Sequence, residues 1–142
     1  MIGNKLFLID TNILVYAIDK QEGSKNLKAK ELINRCWQGK DNFVVSAQNL
    51  AEFVFVSTTK AKLDFEQAKV MVGFIIEFVG FIKINYSAET VLSAIDIADE
   101  FKMSFWDSLL AATMRENGIF NIYTENAKDF KMPWIKAVNP FT

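Results

Sequence analysis

The feature that most limits the fold is a short apolar run that ends on an acid. Leu6-Phe7-Leu8-Ile9 leads into Asp10, Thr11 and Asn12, and the spacing then turns helical through Ile13, Leu14, Tyr16 and Ala17. A run this short and unbroken, bounded by turn-formers, predicts a strand covered on both faces, as in a parallel sheet. Asp10 then ends the first strand at the sheet's carboxyl edge, where open α/β sheets bind their ligands. Thr11 or Asn12 is the expected cap of the following helix.

The alternation continues along the chain. A polar loop over residues 19–24 precedes a helix over 26–38, with Leu27, Leu32, Ile33 and Cys36 as its apolar stripe and Gly39 after it. Residues 43–45 form a second strand, and Ser46 caps a helix running to about Lys60. Asp64 and Gln67 make a capping-box pair before a long apolar-rich helix to about Val79. Gly80 separates that helix from a third strand over 81–84. Ser87 and Ser104 open two more helices, the second stopped by Asn117-Gly118, and residues 121–124 and 136–138 form the last two strands. Strands alternating with helices make the class α/β, with a central parallel sheet of four to five strands. At 142 residues, with no repeat, low-complexity tract or linker, the chain reads as a single domain over 1–142.

Composition removes several function classes. Hydrophobic content of 51%, with thirteen Phe and three Trp, supports a sizeable core and excludes global disorder. The longest apolar runs fall well short of the roughly eighteen residues that span a bilayer, and Glu77 interrupts the greasiest stretch. No basic segment followed by an apolar one and a small-residue cleavage site opens the chain. A soluble, cytoplasmic protein with no membrane contact is the expectation. The single cysteine, Cys36, excludes an internal disulfide and a Cys-rich zinc site, and reads as filling in an apolar helix face. There is no histidine. Ser-His-Asp triads, Cys-His pairs and HExxH zinc sites are therefore impossible, and hydrolysis must rest on carboxylates, hydroxyls, lysines or a hard cation. Net charge is −1, yet residues 1–40 hold seven Lys/Arg against four Asp/Glu. Lys25, Lys28, Lys30 and Arg35 lie on one helix, and Lys60 and Lys62 end another. A solvated helix face is the simpler reading of these charges, ahead of a phosphate-tracking surface.

Three later acids stand out. Glu52 has Phe55 and Val56 three and four residues on, so it shares a helix face with apolar side chains, where an unpaired carboxylate is costly. A functional carboxylate and a paired or rim-exposed one are balanced readings there. Asp107 has Leu110, Ala111 and Met114 on its face, but Ser104 to Asp107 is also an S-x-x-D box, and capping alone explains it. Asp129 follows the fourth strand, in a stretch that a surface turn alone would account for. Glu125 is a further acid nearby. The joint case is stronger than the single ones. Two carboxylates about 4 Å apart repel by roughly 4 kcal/mol at an effective dielectric near 20. Several gathered at one edge need protons or a cation, and with no histidine or thiolate cluster the cation is oxygen-loving, Mg²⁺ or Mn²⁺. Such an ion held by acids suits phosphodiester hydrolysis, with a carboxylate orienting the water.

The stretches that carry these acids resemble those of PIN-domain nucleases. They are Leu8-Ile9-Asp10-Thr11-Asn12-Ile13-Leu14-Val15-Tyr16, Asn49-Leu50-Ala51-Glu52-Phe53, Phe105-Trp106-Asp107-Ser108-Leu109-Leu110-Ala111-Ala112, and Thr124-Glu125-Asn126 with Asp129-Phe130. Order and spacing fit over nearly the whole chain, and its length is similar to that of the VapC-like toxins of toxin–antitoxin pairs. The resemblance implies a three-layer α/β/α fold with strand order 3-2-1-4-5, Asp10, Glu52, Asp107 and Asp129 as the catalytic acids, and Asp10 and Asp107 as metal ligands. It implies Asn12 and Thr124 as supporting polar positions, a Mg²⁺-dependent ribonuclease, a homodimer, and inhibition by a cognate antitoxin. Glu125 could share the role given to Asp129. Lys25, Lys28, Lys60, Lys62 and Arg115 are candidate contacts to RNA phosphates. A non-catalytic module that binds RNA or protein on the same fold is the alternative. A haloacid-dehalogenase-type phosphatase is disfavoured, because it needs an acid where Asn12 stands.

Overall fold

The computed structural model describes residues 5–142. The single-domain expectation also takes in residues 1–4, which lie outside the described residues. Among the described residues five strands form one parallel sheet: β1 (Phe7–Ile9), β2 (Phe43–Ser46), β3 (Phe81–Ile84), β4 (Asn121–Tyr123) and β5 (Lys136–Val138), in the order β3-β2-β1-β4-β5. This is the expected order, with the first strand in the centre. Leu8 pairs with Val44 on one side and Ile122 on the other, and all three are fully buried.

Successive strand residues point to opposite faces, so each strand feeds two cores. Leu8, Val44, Ile84 and Ile122 pack with Ala94, Leu109, Leu110 and Met114 on one face. Ile9, Phe43, Val45 and Phe81 pack with Ile13, Leu14, Ile33, Phe53 and Ile75 on the other. The helices divide accordingly. α1 (Thr11–Ile18), α2 (Ser24–Trp37), α3 (Ala47–Thr59) and α4 (Phe65–Glu77) cover the second face, and α5 (Ala88–Phe101) and α6 (Phe105–Glu116) the first. The result is the expected three-layer α/β/α arrangement. Among the described residues no helix is long and apolar enough to cross a membrane. Cys36 is buried as the expected filling of α2.

Local signals set most boundaries. Ser46 with Asn49 and Asp64 with Gln67 form reciprocal capping boxes at α3 and α4, and at α5 the Thr90 hydroxyl accepts the Ser87 N–H at 3.0 Å. Other boundaries differ from expectation, chiefly at three helix ends. α1 begins at Thr11, so Asp10 is its own helix's cap, and its side chain accepts from the Thr11 N–H at 2.8 Å. α2 begins at Ser24, two residues early, because Gly23 turns the chain at φ 59°. α4 stops at Glu77, where Phe78 becomes extended. Gly80 then passes so close to Phe78 and Cys36 that a Cβ there would lie 2.5 Å from the Phe78 ring.

Candidate active site

The four acids come from four elements. Asp10 sits between β1 and α1, Glu52 is in the second turn of α3, Asp107 is in the first turn of α6, and Asp129 ends a 3-10 turn over Ala127–Asp129 after β4. Parallel pairing puts the ends of β1, β2 and β4 at one edge, so the segments that follow them arrive together. Asp10, Glu52 and Asp107 are half-buried, and Asp129 is exposed at the rim.

Hydrogen bonds hold the inner acids in place. Asp10 N–H donates to the Tyr123 carbonyl at 3.0 Å, tying the end of β1 to β4. The Thr124 hydroxyl donates to Asp10 Oδ2 at 2.7 Å and is itself fully buried, with its N–H on the Val138 carbonyl. The Thr11 hydroxyl donates to Glu52 Oε1 at 3.3 Å and accepts from Asn49 Nδ2 at 3.2 Å. Asn49 is fully buried, and its Oδ1 accepts from both the backbone N–H and the hydroxyl of Ser46. Gln48 Nε2 donates to the Trp106 carbonyl at 3.0 Å, next to Asp107. Ser104 Oγ accepts the Asp107 N–H at 3.2 Å, so the capping reading of that segment holds as well.

The inner acids share one electrostatic fate. Desolvation raises the pKa of Asp10 above the ordinary 3.8; bonds from Thr124 and Thr11 oppose the shift, and the charge of Asp107 adds to it. Desolvation also raises Glu52 above 4.5, with the charges of Asp10 and Asp107 adding and Thr11 and Gln48 opposing. Asp107 is raised by desolvation, opposed by Ser104 and reinforced by the charge of Asp129. Each acid thus feels at least one other. The ion pairs among the described residues are Lys25–Glu125, Arg35–Asp41 and Lys102–Asp99, and none reaches these four acids.

Mutually repelling, partly desolvated carboxylates without a cationic partner have a donor chemistry that suits a hard divalent cation. Among the described residues no three Asp, Glu, His or Cys side chains stand close enough to enclose a metal unaided. That is compatible with Mg²⁺, which takes one or two carboxylates and keeps several waters for substrate oxygens to replace.

Several site expectations change on this geometry. Thr124 contacts Asp10, but among the described residues the Asn12 side chain makes no hydrogen bond; Thr11 supports the site instead, reaching Glu52 where Asn12 does not. Thr11, Gln48 and Asn49 were missed. The available signal was spacing, since Gln48 and Asn49 stand four and three residues before Glu52 on one helix face. Glu125 is committed elsewhere: it accepts the Tyr16 hydroxyl at 2.7 Å and pairs with Lys25 Nζ. Desolvation pushes its pKa up, but the bonds from Lys25 and Tyr16 prevail and hold it below 4.5.

The candidate phosphate contacts are not gathered at the acids. Lys25 is engaged by Glu125 and stands 5.2 Å from the Tyr16 ring centroid. Lys28 donates to the Phe141 carbonyl. Lys60 and Lys62 lie past the end of α3, about 12 Å or more along its axis from Glu52, because each residue adds about 1.5 Å. Arg115 is as far along α6 from Asp107, with its guanidinium 4.6 Å from the Trp134 ring centroid.

The comparisons with known proteins agree with this fold. A sequence profile of the PIN domain matches residues 7–132. A search of curated protein sequences finds no match. Among solved structures, VapC20 of Mycobacterium tuberculosis, described as a toxin that cleaves the sarcin–ricin loop, aligns with TM-score 0.69 and 21% identity over 92% of this chain and 97% of its own. A VapBC2 structure from Rickettsia felis, bound to a DNA fragment from its promoter, aligns with TM-score 0.65 and 23% identity over 94% and 98%. A toxin–antitoxin complex from Klebsiella pneumoniae gives 0.63 and 24% over 94% and 97%. At these identities the structural likeness speaks to the fold.

Proposed function

The chain belongs to the PIN-domain family, and from that premise we propose that it is a Mg²⁺-dependent endoribonuclease, a cytoplasmic toxin restrained by a cognate antitoxin. The observation that carries the proposal is the set of partly desolvated acids, Asp10, Glu52 and Asp107, which feel one another's charge and have no ion-pair partner among the described residues. A catalytic site has reason to keep such a set; a structural core has none.

Asp10 and Asp107 are the residues that would hold Mg²⁺, with Mn²⁺ as an acceptable substitute. A divalent ion bound there would polarise the scissile phosphate and acidify an attacking water. Thr124 fixes the direction of the Asp10 carboxylate by occupying Oδ2. Glu52, steadied by Thr11, would accept a hydrogen bond from the attacking water and orient it. Asp129, exposed at the rim, adds negative charge beside Asp107.

The partner side of the proposal rests on exposed apolar surface. Phe55, Phe65, Phe74 and Val79 are exposed, and a largely apolar cavity of about 300 Å³ lies between α1, α2 and α4, lined by Leu14, Ile33, Trp37, Met71 and Phe74 among others. This surface is more than core packing requires, and it suits a homodimer and a bound antitoxin segment. A structural neighbour described as a toxin–antitoxin complex supports the same assignment.

The test is RNA cleavage by purified protein. Asp10→Asn should lower kcat by about a thousandfold or more, and EDTA should abolish cleavage until Mg²⁺ or Mn²⁺ is restored. Undiminished cleavage by Asp10→Asn would remove the proposal. RNA binding without turnover across both metal titrations would favour the non-catalytic module instead.

A further inference from the structure

We infer that Gln48 is a positioning residue, a clasp between the two helix layers that sets the spacing of Glu52 and Asp107. The inference rests on the nuclease reading of these acids.

The two acids have no common scaffold. α3 packs with α1 and α4 in one layer, and α6 packs with α5 in the other. The sheet lies between the layers, so small shifts of either helix would change the gap between Glu52 and Asp107. Gln48 lies in the first turn of α3, and its Nε2 donates to the Trp106 carbonyl in the first turn of α6 at 3.0 Å. Among the described residues this is the one side-chain hydrogen bond that joins the two helices. Gln48 is also one turn before Glu52 on the same face, near enough to help hold Glu52 in its charged form. A single side chain on the helix that carries Glu52 therefore bonds the helix that carries Asp107.

The state of the amide argues against a purely structural role. Gln48 is only 8% exposed, and its Oε1 has no hydrogen-bond partner among the described residues. A buried amide satisfied at one end is a poor stabiliser, and an apolar side chain of equal length would suit folding as well or better. What the amide supplies, and an apolar chain does not, is a directional tie to Trp106. Groups that orient the acids of a metal site alter metal affinity or activity by about 10- to 100-fold when removed.

The experiment compares wild type, Gln48→Met, which keeps the length and removes the amide, and Gln48→Glu, measured at a pH high enough to keep it ionised, which keeps the shape but has no proton to donate to a carbonyl. Three measurements are made on each: amide hydrogen exchange over residues 107–110, Mn²⁺ affinity by calorimetry, and kcat and KM on RNA. Both variants should exchange faster in that segment. Gln48→Met should bind Mn²⁺ about tenfold more weakly and lose about tenfold in kcat, with KM nearly unchanged and a melting temperature equal to or above wild type. Unchanged exchange in both variants overturns the clasp, whatever the activity. So does a loss of kcat that only follows a lower melting temperature. If wild type itself neither binds Mn²⁺ nor cuts RNA, the nuclease reading fails, and the exchange result still decides whether Gln48 ties α3 to α6.

Discussion

Thr124 and Glu125 are neighbours in the chain, yet they serve two groups of acids that the fold treats in opposite ways. Thr124 turns inward and donates to Asp10, which belongs to a set raised by burial and mutual repulsion. Glu125 turns toward α1 and α2, where a tyrosine hydroxyl and a lysine satisfy it and lower its pKa. The C-terminal segment joins this second group: Asn139 donates to the Glu125 carbonyl, and the Phe141 ring packs edge-on to Tyr16. Among the described residues Glu125 has a cation paired with its charge, and Asp10, Glu52 and Asp107 have none. An acid with a partner is part of the architecture; several without one leave a need that a ligand from solution can meet.

The largest expected effect tests that need directly. If the inner acids await a divalent cation, Mg²⁺ or Mn²⁺ at a hundredfold excess over its Kd should raise the melting temperature by about 10 °C. The Asp10→Asn protein should show little of this rise, and Glu125→Gln should show all of it. Equal shifts in Asp10→Asn and wild type, followed by calorimetry, would erase the contrast between the two groups.

A smaller effect, of a few degrees, comes from pH without metal. Asp10, Glu52 and Asp107 have raised values, so the folded state binds protons more readily than the unfolded one. Their contribution is complete below the ordinary values of 3.8 and 4.5 and is lost as pH rises through the raised values. Glu125 has the opposite sign. Its contribution is present above 4.5 and is lost as pH falls through its lowered value. In EDTA at neutral pH, Asp10→Asn should therefore melt above wild type, and the gap should close as pH approaches 4. A gap of the reverse sign, or one that ignores pH, would show that the inner acids are not under strain.

The contrast also explains what was legible in the sequence. The strands and α-helices followed from signals a few residues long: the apolar run before Asp10, the Ser46, Asp64 and Ser87 caps, and the Asn117-Gly118 stop; the sheet order followed only from the resemblance to PIN domains. Asp10 was visible as the acid that ends the first strand, and Glu52 and Asp107 as acids on apolar helix faces, although Ser104 explained Asp107 locally just as well. The supporting groups were not visible, because their bonds are made across the fold. Thr11 meets Asn49 and Glu52 at separations of 38 and 41 residues, and no local pattern separates it from Asn12. That the lysines and Arg115 do not gather at the acids was hidden for a related reason, since a charge on a helix face does not reveal which end of the helix approaches the acids. Glu125 was ambiguous until Tyr16 and Lys25, from α1 and α2, were seen to meet it.

The smallest effect sharpens the comparison from the other side. Glu125→Gln keeps an acceptor for the Tyr16 hydroxyl and removes the charge that Lys25 pairs with. The Lys25 side chain is 43% exposed, so solvent and salt screen the pair, and the melting temperature should fall by only about 1–3 °C in low salt and less in high salt. Thr124 keeps its own bonds to Val138 and Asn126, so it continues to hold Asp10 without help from Glu125. Cleavage of RNA by Glu125→Gln should therefore stay within about threefold of wild type. A loss as deep as that of Asp10→Asn would mean that the Glu125 group belongs to the site, and that the boundary between residues 124 and 125 is drawn in the wrong place.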